Sequence, residues 1–217
     1  MLADVVPGLK NTLPCEFSHQ NVEGAMYCSE CSPNGPYDCT WCMCGLWLEP
    51  KVKIIEGDLL KLREFDAIAH QVNCLTVKPH GFSKQVADKY PWGDIYSKRI
   101  PEGKRNLAVK SDRGVPGTIQ IFKSTTVNSP AIVCLLSQWD FGSTGQSRRC
   151  IPPYKDTAEN RLMWFGQCFD HIKDVKILGL PYKIGCGLAG GDCSLYFKMI
   201  CAYARKSSVQ IIVVKLK

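Results

Sequence analysis

Pro181-Tyr182-Lys183-Ile184-Gly185-Cys186-Gly187-Leu188-Ala189-Gly190-Gly191-Asp192 follows directly on the apolar run Lys176-Ile177-Leu178-Gly179-Leu180. A helical stripe comes next, with Tyr196, Met199, Ile200, Tyr203 and Ala204 on one face and Ser194 as the expected N-cap. Four glycines within residues 185–191 therefore sit between a strand and a helix start. In that geometry backbone N–H groups can turn toward an anion, with the positive end of the helix dipole behind them. A lone glycine pair would read as a tight connection, but a loop this rich in glycine points to phosphate. It lacks the Lys-Ser/Thr ending of a Walker loop. From Gly185 it fits G-x-G-x-x-G formally, but so late in the chain that no further βαβ half follows.

Working outward, further strand-length runs rich in Val and Ile begin at Val52, Ala67, Thr118, Ala131 and Gln210. Several are apolar at successive positions, as in strands covered on both faces. Ala158, Leu162, Phe165, Phe169 and Ile172 form a second helical stripe, with Asp156 and Glu159 as the expected capping box. Ser83 to Tyr90 reads as a shorter helix stopped by Pro91, and a short helix is expected after Asp58. The alternation predicts an α/β fold with a mostly parallel, helix-covered sheet over residues 51–217.

Residues 1–50 differ. They show no helical or strand periodicity, and they carry one base and six acids against 26 bases and 14 acids in the remainder. A basic module behind an acidic leader favours an anionic ligand, although a generally solvated basic surface would look the same. No basic run with interleaved aromatics marks a nucleic-acid track. No stretch is long and apolar enough to cross a bilayer, and the start lacks the basic n-region of a secretory signal. The thirteen cysteines are an odd number, and with no export signal free thiols in the cytoplasm or nucleus are expected. Cys28-x2-Cys31 and Cys39-x2-Cys42 form two knuckles spaced for structural zinc, with disorder as the alternative for this segment.

Two further segments carry chemistry. Gly57-Asp58-Leu59 ends a strand in an aspartate suited to an exocyclic amine or to capping the next turn. His70-Gln71-Val72-Asn73 ends another, at the sheet edge where open α/β folds place ligands. There Asn73 can meet a ribose diol, and His80 beside Gly81 is a candidate acid–base group. His70 reads more simply as a hydrogen-bonded core residue, and His80 also reads as an ordinary loop residue.

Gly57-Asp58-Leu59, His70-Gln71-Val72-Asn73-Cys74 and Ile184 to Asp192 together resemble the macro domain family. The likeness is to its branch of ADP-ribose 1″-phosphate phosphatases and terminal ADP-ribose protein glycohydrolase, and it runs over residues 51–217. It implies a three-layer α/β/α fold with a mixed sheet, and no cofactor for that domain. It implies ADP-ribose or a derivative as ligand, free or carried on an ADP-ribosylated protein. By the same likeness Asp58 and the Leu59 backbone hold adenine, and Asn73 and the loop to Gly81 hold the distal ribose. Gly185, Cys186, Gly187, Leu188, Ala189, Gly190 and Gly191 would cradle the diphosphate. The glycohydrolase branch uses a lysine and an aspartate, whose matching positions here are Gln138 and Ala189. Glutamine forms no Schiff base and alanine moves no proton. Hydrolysis of the 1″-phosphate, with His80 and Asp192 as acid–base groups, is the chemistry expected instead, with a non-catalytic reader of ADP-ribosylated proteins or a de-ADP-ribosylating hydrolase without the lysine mechanism as alternatives; Asp192 reads equally as a helix cap. Cys186 lies near a helix N-terminus that could lower its pKa, and it is read as a packing residue.

Overall fold

The computed structural model describes residues 51–126, 129–144 and 151–217, together with the backbone of two short strands nearer the N-terminus. These are β1 (His19–Val22) and β2 (Ala25–Cys28), paired antiparallel with His19 opposite Cys28. Four-residue strands are too short to establish a period, so the sequence gives no sign of them. The side chain of Cys28, and all of Cys31, Cys39 and Cys42, lie outside the described residues. Among the described residues no cluster of His, Cys, Asp or Glu could hold a metal ion, and no helix is long and apolar enough to cross a membrane.

The main sheet has six strands: β3 (Val52–Glu56), β4 (Ala67–Asn73), β5 (Ile119–Phe122), β6 (Ala131–Gln138), β7 (Ile177–Pro181) and β8 (Gln210–Lys215). Their order is β3-β8-β7-β4-β6-β5, parallel throughout except for β5 against β6. The runs are apolar at successive positions because both faces are covered. Ala67, Ala69, Val133, Leu135, Ile211 and Val213 point to a core with α2 (Ala158–Asp170) and α3 (Cys193–Lys206). Their alternates Ile68, Val72, Ile132, Cys134, Ile212 and Val214 point to a second core with Val86 of α1 (Phe82–Lys89) and the loop residues Tyr90, Ile95 and Tyr96. A sheet between two helical layers follows from this alternation.

Helix starts differ from expectation in three places. Thr157, not the Asp156–Glu159 pair, caps α2 by accepting from the Asn160 amide at 3.2 Å. Asp156 is drawn away by Arg161. Asp192 fills its helix-cap reading and caps α3 in place of Ser194, its Oδ1 accepting from the amides of Ser194 at 2.8 Å and Leu195 at 3.2 Å. After β3 there is a turn in place of a helix, closed by the Leu60 amide on Asp58 Oδ1 at 3.0 Å.

One departure from regular pairing positions the site. β4 and β7 are in register only at Ala67–Leu178 and Ile68–Gly179. Beyond those pairs the two strands part toward their C-terminal ends. On the other side of β4 the register with β6 slips by one residue between Gln71 and Asn73, so Asn73 stands opposite Gln138.

Candidate functional site

A cleft of about 690 Å³ opens where β4 and β7 part. Its floor comes from the ends of β4 and β6, through His70, Gln71, Asn73 and Gln138. One wall is the loop from Pro181 to Ala189, the other Phe141 and Gly142, and His80 to Ser83 close the third side. Among the described residues no aspartate or glutamate lines it. An acid-free cleft in a basic module suits an anion.

The floor is fixed by its own hydrogen bonds. Asn73 Oδ1 accepts from the Leu75 amide at 3.1 Å, the Thr76 amide at 2.8 Å and the Thr76 hydroxyl at 2.9 Å. Only its Nδ2, at 3.4 Å from the Tyr96 hydroxyl, remains to donate elsewhere. The carbonyls of Thr76 and Asn73 in turn accept from the buried Arg99 guanidinium at 2.7 and 3.0 Å. Gln71 Nε2 donates to Gln138 Oε1 at 3.3 Å, and Gln138 Nε2 donates to the Gly142 carbonyl at 2.9 Å.

His70 is a core residue. Ser83 Oγ stands 3.3 Å from the Gln71 carbonyl and 3.1 Å from His70 Nδ1, in a contact whose direction follows the ring tautomer. Nε2 then faces the Cys134 thiol at 3.5 Å. Burial lowers the His70 pKa to about 4, so the ring is neutral at physiological pH. His80, by contrast, is exposed at the cleft mouth.

The glycine loop is built partly for itself. Gly185 has φ +78°, and a side chain there would run into the Tyr196 ring; a Cβ on Gly191 would stand 2.7 Å from the Gly185 carbonyl. These two glycines answer to packing. Gly187 has nothing within 4 Å of where a Cβ would lie, so it alone fits the expectation that glycine keeps room for a ligand. The amides of Gly191, Gly190 and Cys186 are bonded within the loop. Those of Gly185, Gly187, Leu188 and Ala189 donate to no acceptor among the described residues. Desolvation comes first in raising the Cys186 thiol pKa, with Cys193 beside it adding to the rise. The helix terminus does not reverse this, and Cys186 stays a protonated packing residue.

The expected site residues do not all meet. Asn73, His80, Gly81 and the stretch Gly185 to Ala189 line the cleft, whereas Gly190, Gly191 and Asp192 do not. Asp192 is exposed, its carboxylate engaged at the start of α3. Asp58 and Leu59 follow β3 at the same C-terminal edge of the sheet, two strands from β7. The Asp58 carboxylate meets Lys61 at 3.2 Å, and the Leu59 side chain is buried in the core. Gln138 and Ala189, standing at the lysine and aspartate positions, both line the cleft. Two contributors were missed from sequence. Tyr182 lines the cleft, its ring 5.7 and 6.0 Å from the ammonium groups of Lys183 and Lys215. Arg161 lies buried behind the walls and bonds to both. The place of Tyr182 just after a strand is a signal that could have found it; nothing in the sequence sets Arg161 apart from an ordinary surface base.

No family model matches the chain, and no curated protein matches it. Solved structures do. The chain is similar to the macrodomain of Mycobacterium tuberculosis DarG, at 17% identity and a TM-score of 0.53, covering 75% of this chain and 96% of that one. It is also similar to the macrodomain of Thermus aquaticus DarG, at 16% identity and a TM-score of 0.50 over 76% and 97% of the two chains. A protein of unknown function from Bacteroides thetaiotaomicron matches at 17% identity and a TM-score of 0.50, over 76% and 97%. At these identities the likeness is one of fold: the chain has the macrodomain fold.

Proposed function

We propose that this protein binds ADP-ribose, free or attached to a protein, in the cleft between β4 and β7. The observation that carries this is the pairing of a cleft lined by no carboxylate among the described residues with a loop whose Gly185, Gly187, Leu188 and Ala189 amides donate to no described acceptor. Four such donors beside open space at Gly187 suit a diphosphate. In this reading Tyr182 supplies a ring for adenine to pack on, and Asp58 accepts from its exocyclic amine after releasing Lys61. Asn73 Nδ2 and the backbone at Gly81 meet the distal ribose.

Hydrolysis of ADP-ribose 1″-phosphate is a second reading, favoured by His80 at the mouth of the cleft. Water would add to phosphorus, the bond from phosphorus to the ribose oxygen would break, that oxygen would take a proton from His80, and the proton lost by the attacking water would restore His80 through solvent. Asp192 is a weaker partner for His80 because its carboxylate already serves α3. The lysine route of glycoside cleavage has no nucleophile at Gln138.

A phosphorus NMR time course of ADP-ribose 1″-phosphate with the full chain tests both readings. Shifted or broadened diphosphate resonances without phosphate release mean a binding module. Release that disappears in His80→Ala, with binding retained, means a phosphatase. Unchanged spectra at millimolar ligand would sink the assignment of the ligand.

A further inference from the structure

We propose that Arg161 is the positioning residue of the cleft, a buried guanidinium that holds its two facing walls at a fixed separation; this rests on the ADP-ribose reading above. Arg161 stands in the first turn of α2, is 2% exposed and lines no part of the main cleft. Its NH1 donates to the Gly142 carbonyl on one wall at 2.7 Å and to the Ala189 carbonyl on the other at 3.1 Å. Its NH2 donates to the Asp140 carbonyl at 3.2 Å, and the Asp156 carboxylate takes the remaining two donors at 2.6 and 2.7 Å. A guanidinium has five N–H groups, and all five are spent.

The arrangement is more than an ion pair that stabilises a core. Burying a charged pair costs about as much as its attraction returns, so stability alone does not account for it. What the fork does is join segments 47 residues apart, through carbonyls that one rigid plane can reach together. Asp156 adds to the same wall by accepting from the Asp140 amide at 2.9 Å. The Gly142 carbonyl also accepts from Gln138, which is bonded to Gln71, so the restraint continues into the floor. On the other side Ala189 ends the run of loop amides offered to the diphosphate. Held from behind through its carbonyl, that run is aligned before the ligand arrives, and the ordering cost of binding falls.

Two variants separate this role from simple loss of folding. Arg161→Lys keeps the charge but offers three donors from one point, too few to span both walls. The double variant Arg161→Met with Asp156→Leu removes the pair together, a replacement that buried ion pairs tolerate. Each is compared with the unsubstituted chain by hydrogen exchange and by calorimetric titration with ADP-ribose and with adenosine, which lacks the diphosphate. We expect faster exchange in residues 138–144 and 185–191 with β8 unchanged. ADP-ribose should weaken by about tenfold or more, and adenosine by less than about twofold. Equal losses for both ligands, or exchange that rises throughout the sheet, would overturn the proposal. So would unchanged exchange in the two walls of a folded variant. If the unsubstituted chain binds neither ligand, the ADP-ribose reading fails by itself, and the exchange of the two walls still decides the role of Arg161.

Discussion

Gly185 lies so close to the edge of the Tyr196 ring that a methyl group on it would overlap the ring and stand 2.7 Å from Gln71 Oε1. With φ at +78° the position is also strained for any other residue. Gly185→Ala should therefore destabilise the fold by about 1–3 kcal/mol and disturb the loop that lines the cleft. Gly187→Ala meets no neighbour and should leave stability within about 0.5 kcal/mol while weakening ADP-ribose. Urea midpoints and calorimetric titration of both variants measure this, and equal stability losses would contradict the division of roles.

Burial holds the His70 pKa at about 4, below its ordinary value of 6.5. The unfolded chain thus binds the extra proton between those values, and stability rises with pH across that window and levels off above it. At pH 5 the folded state should be weaker by roughly 2 kcal/mol on this account alone. His70→Gln cannot take up that proton, and its stability should change less between pH 7 and pH 5. An unaltered slope in urea unfolding would place the pH dependence elsewhere.

Asn73 carries a structural duty that can be separated from a ligand contact. Asn73→Ala leaves the buried amides of Leu75 and Thr76 without their acceptor and should cost about 2–4 kcal/mol. Asn73→Asp keeps the acceptor but adds a negative charge to a cleft that has none among its described residues. It should spare most of the stability and weaken ADP-ribose, increasingly so at low salt. Retained affinity in the aspartate variant would count against an anionic ligand in this cleft.

Lys183 is exposed and sits at φ +58°. Lys183→Gly relieves that strain and should raise stability by about 0.5–1 kcal/mol, whereas Lys183→Ala should not. Both lose the ammonium beside the cleft and should bind ADP-ribose equally weakly. Thermal unfolding and titration of the pair check the two effects independently.

The strands were readable because full coverage of the sheet leaves runs such as Ala131 to Leu136 apolar throughout. The glycine loop was readable too, although for Gly185 and Gly191 the Tyr196 ring and the loop backbone already exclude a side chain, a packing reason with no sequence signal. Capping was harder to read, since the choice between Asp156 and Thr157 depends on what Asp156 meets from five residues along the chain. Arg161 was invisible for the same reason. A base near the start of an amphipathic helix resembles any solvated one until its three carbonyl partners, from two distant loops, are folded against it. Asn73 was recognised as a polar residue at a strand end, but the Thr76 contacts that occupy its carbonyl depend on a loop shape with no sequence period.

The bonds that shape the cleft come largely from carbonyls, amides and a guanidinium behind its surface, whereas His80, Gly187 and Leu188 are exposed. Much of what holds the form of the cleft thus lies behind the surface that a ligand would meet. The side chains of His80 and Leu188 at the mouth make none of these bonds, so their replacement should leave the frame held by Arg161 and its partners as it is.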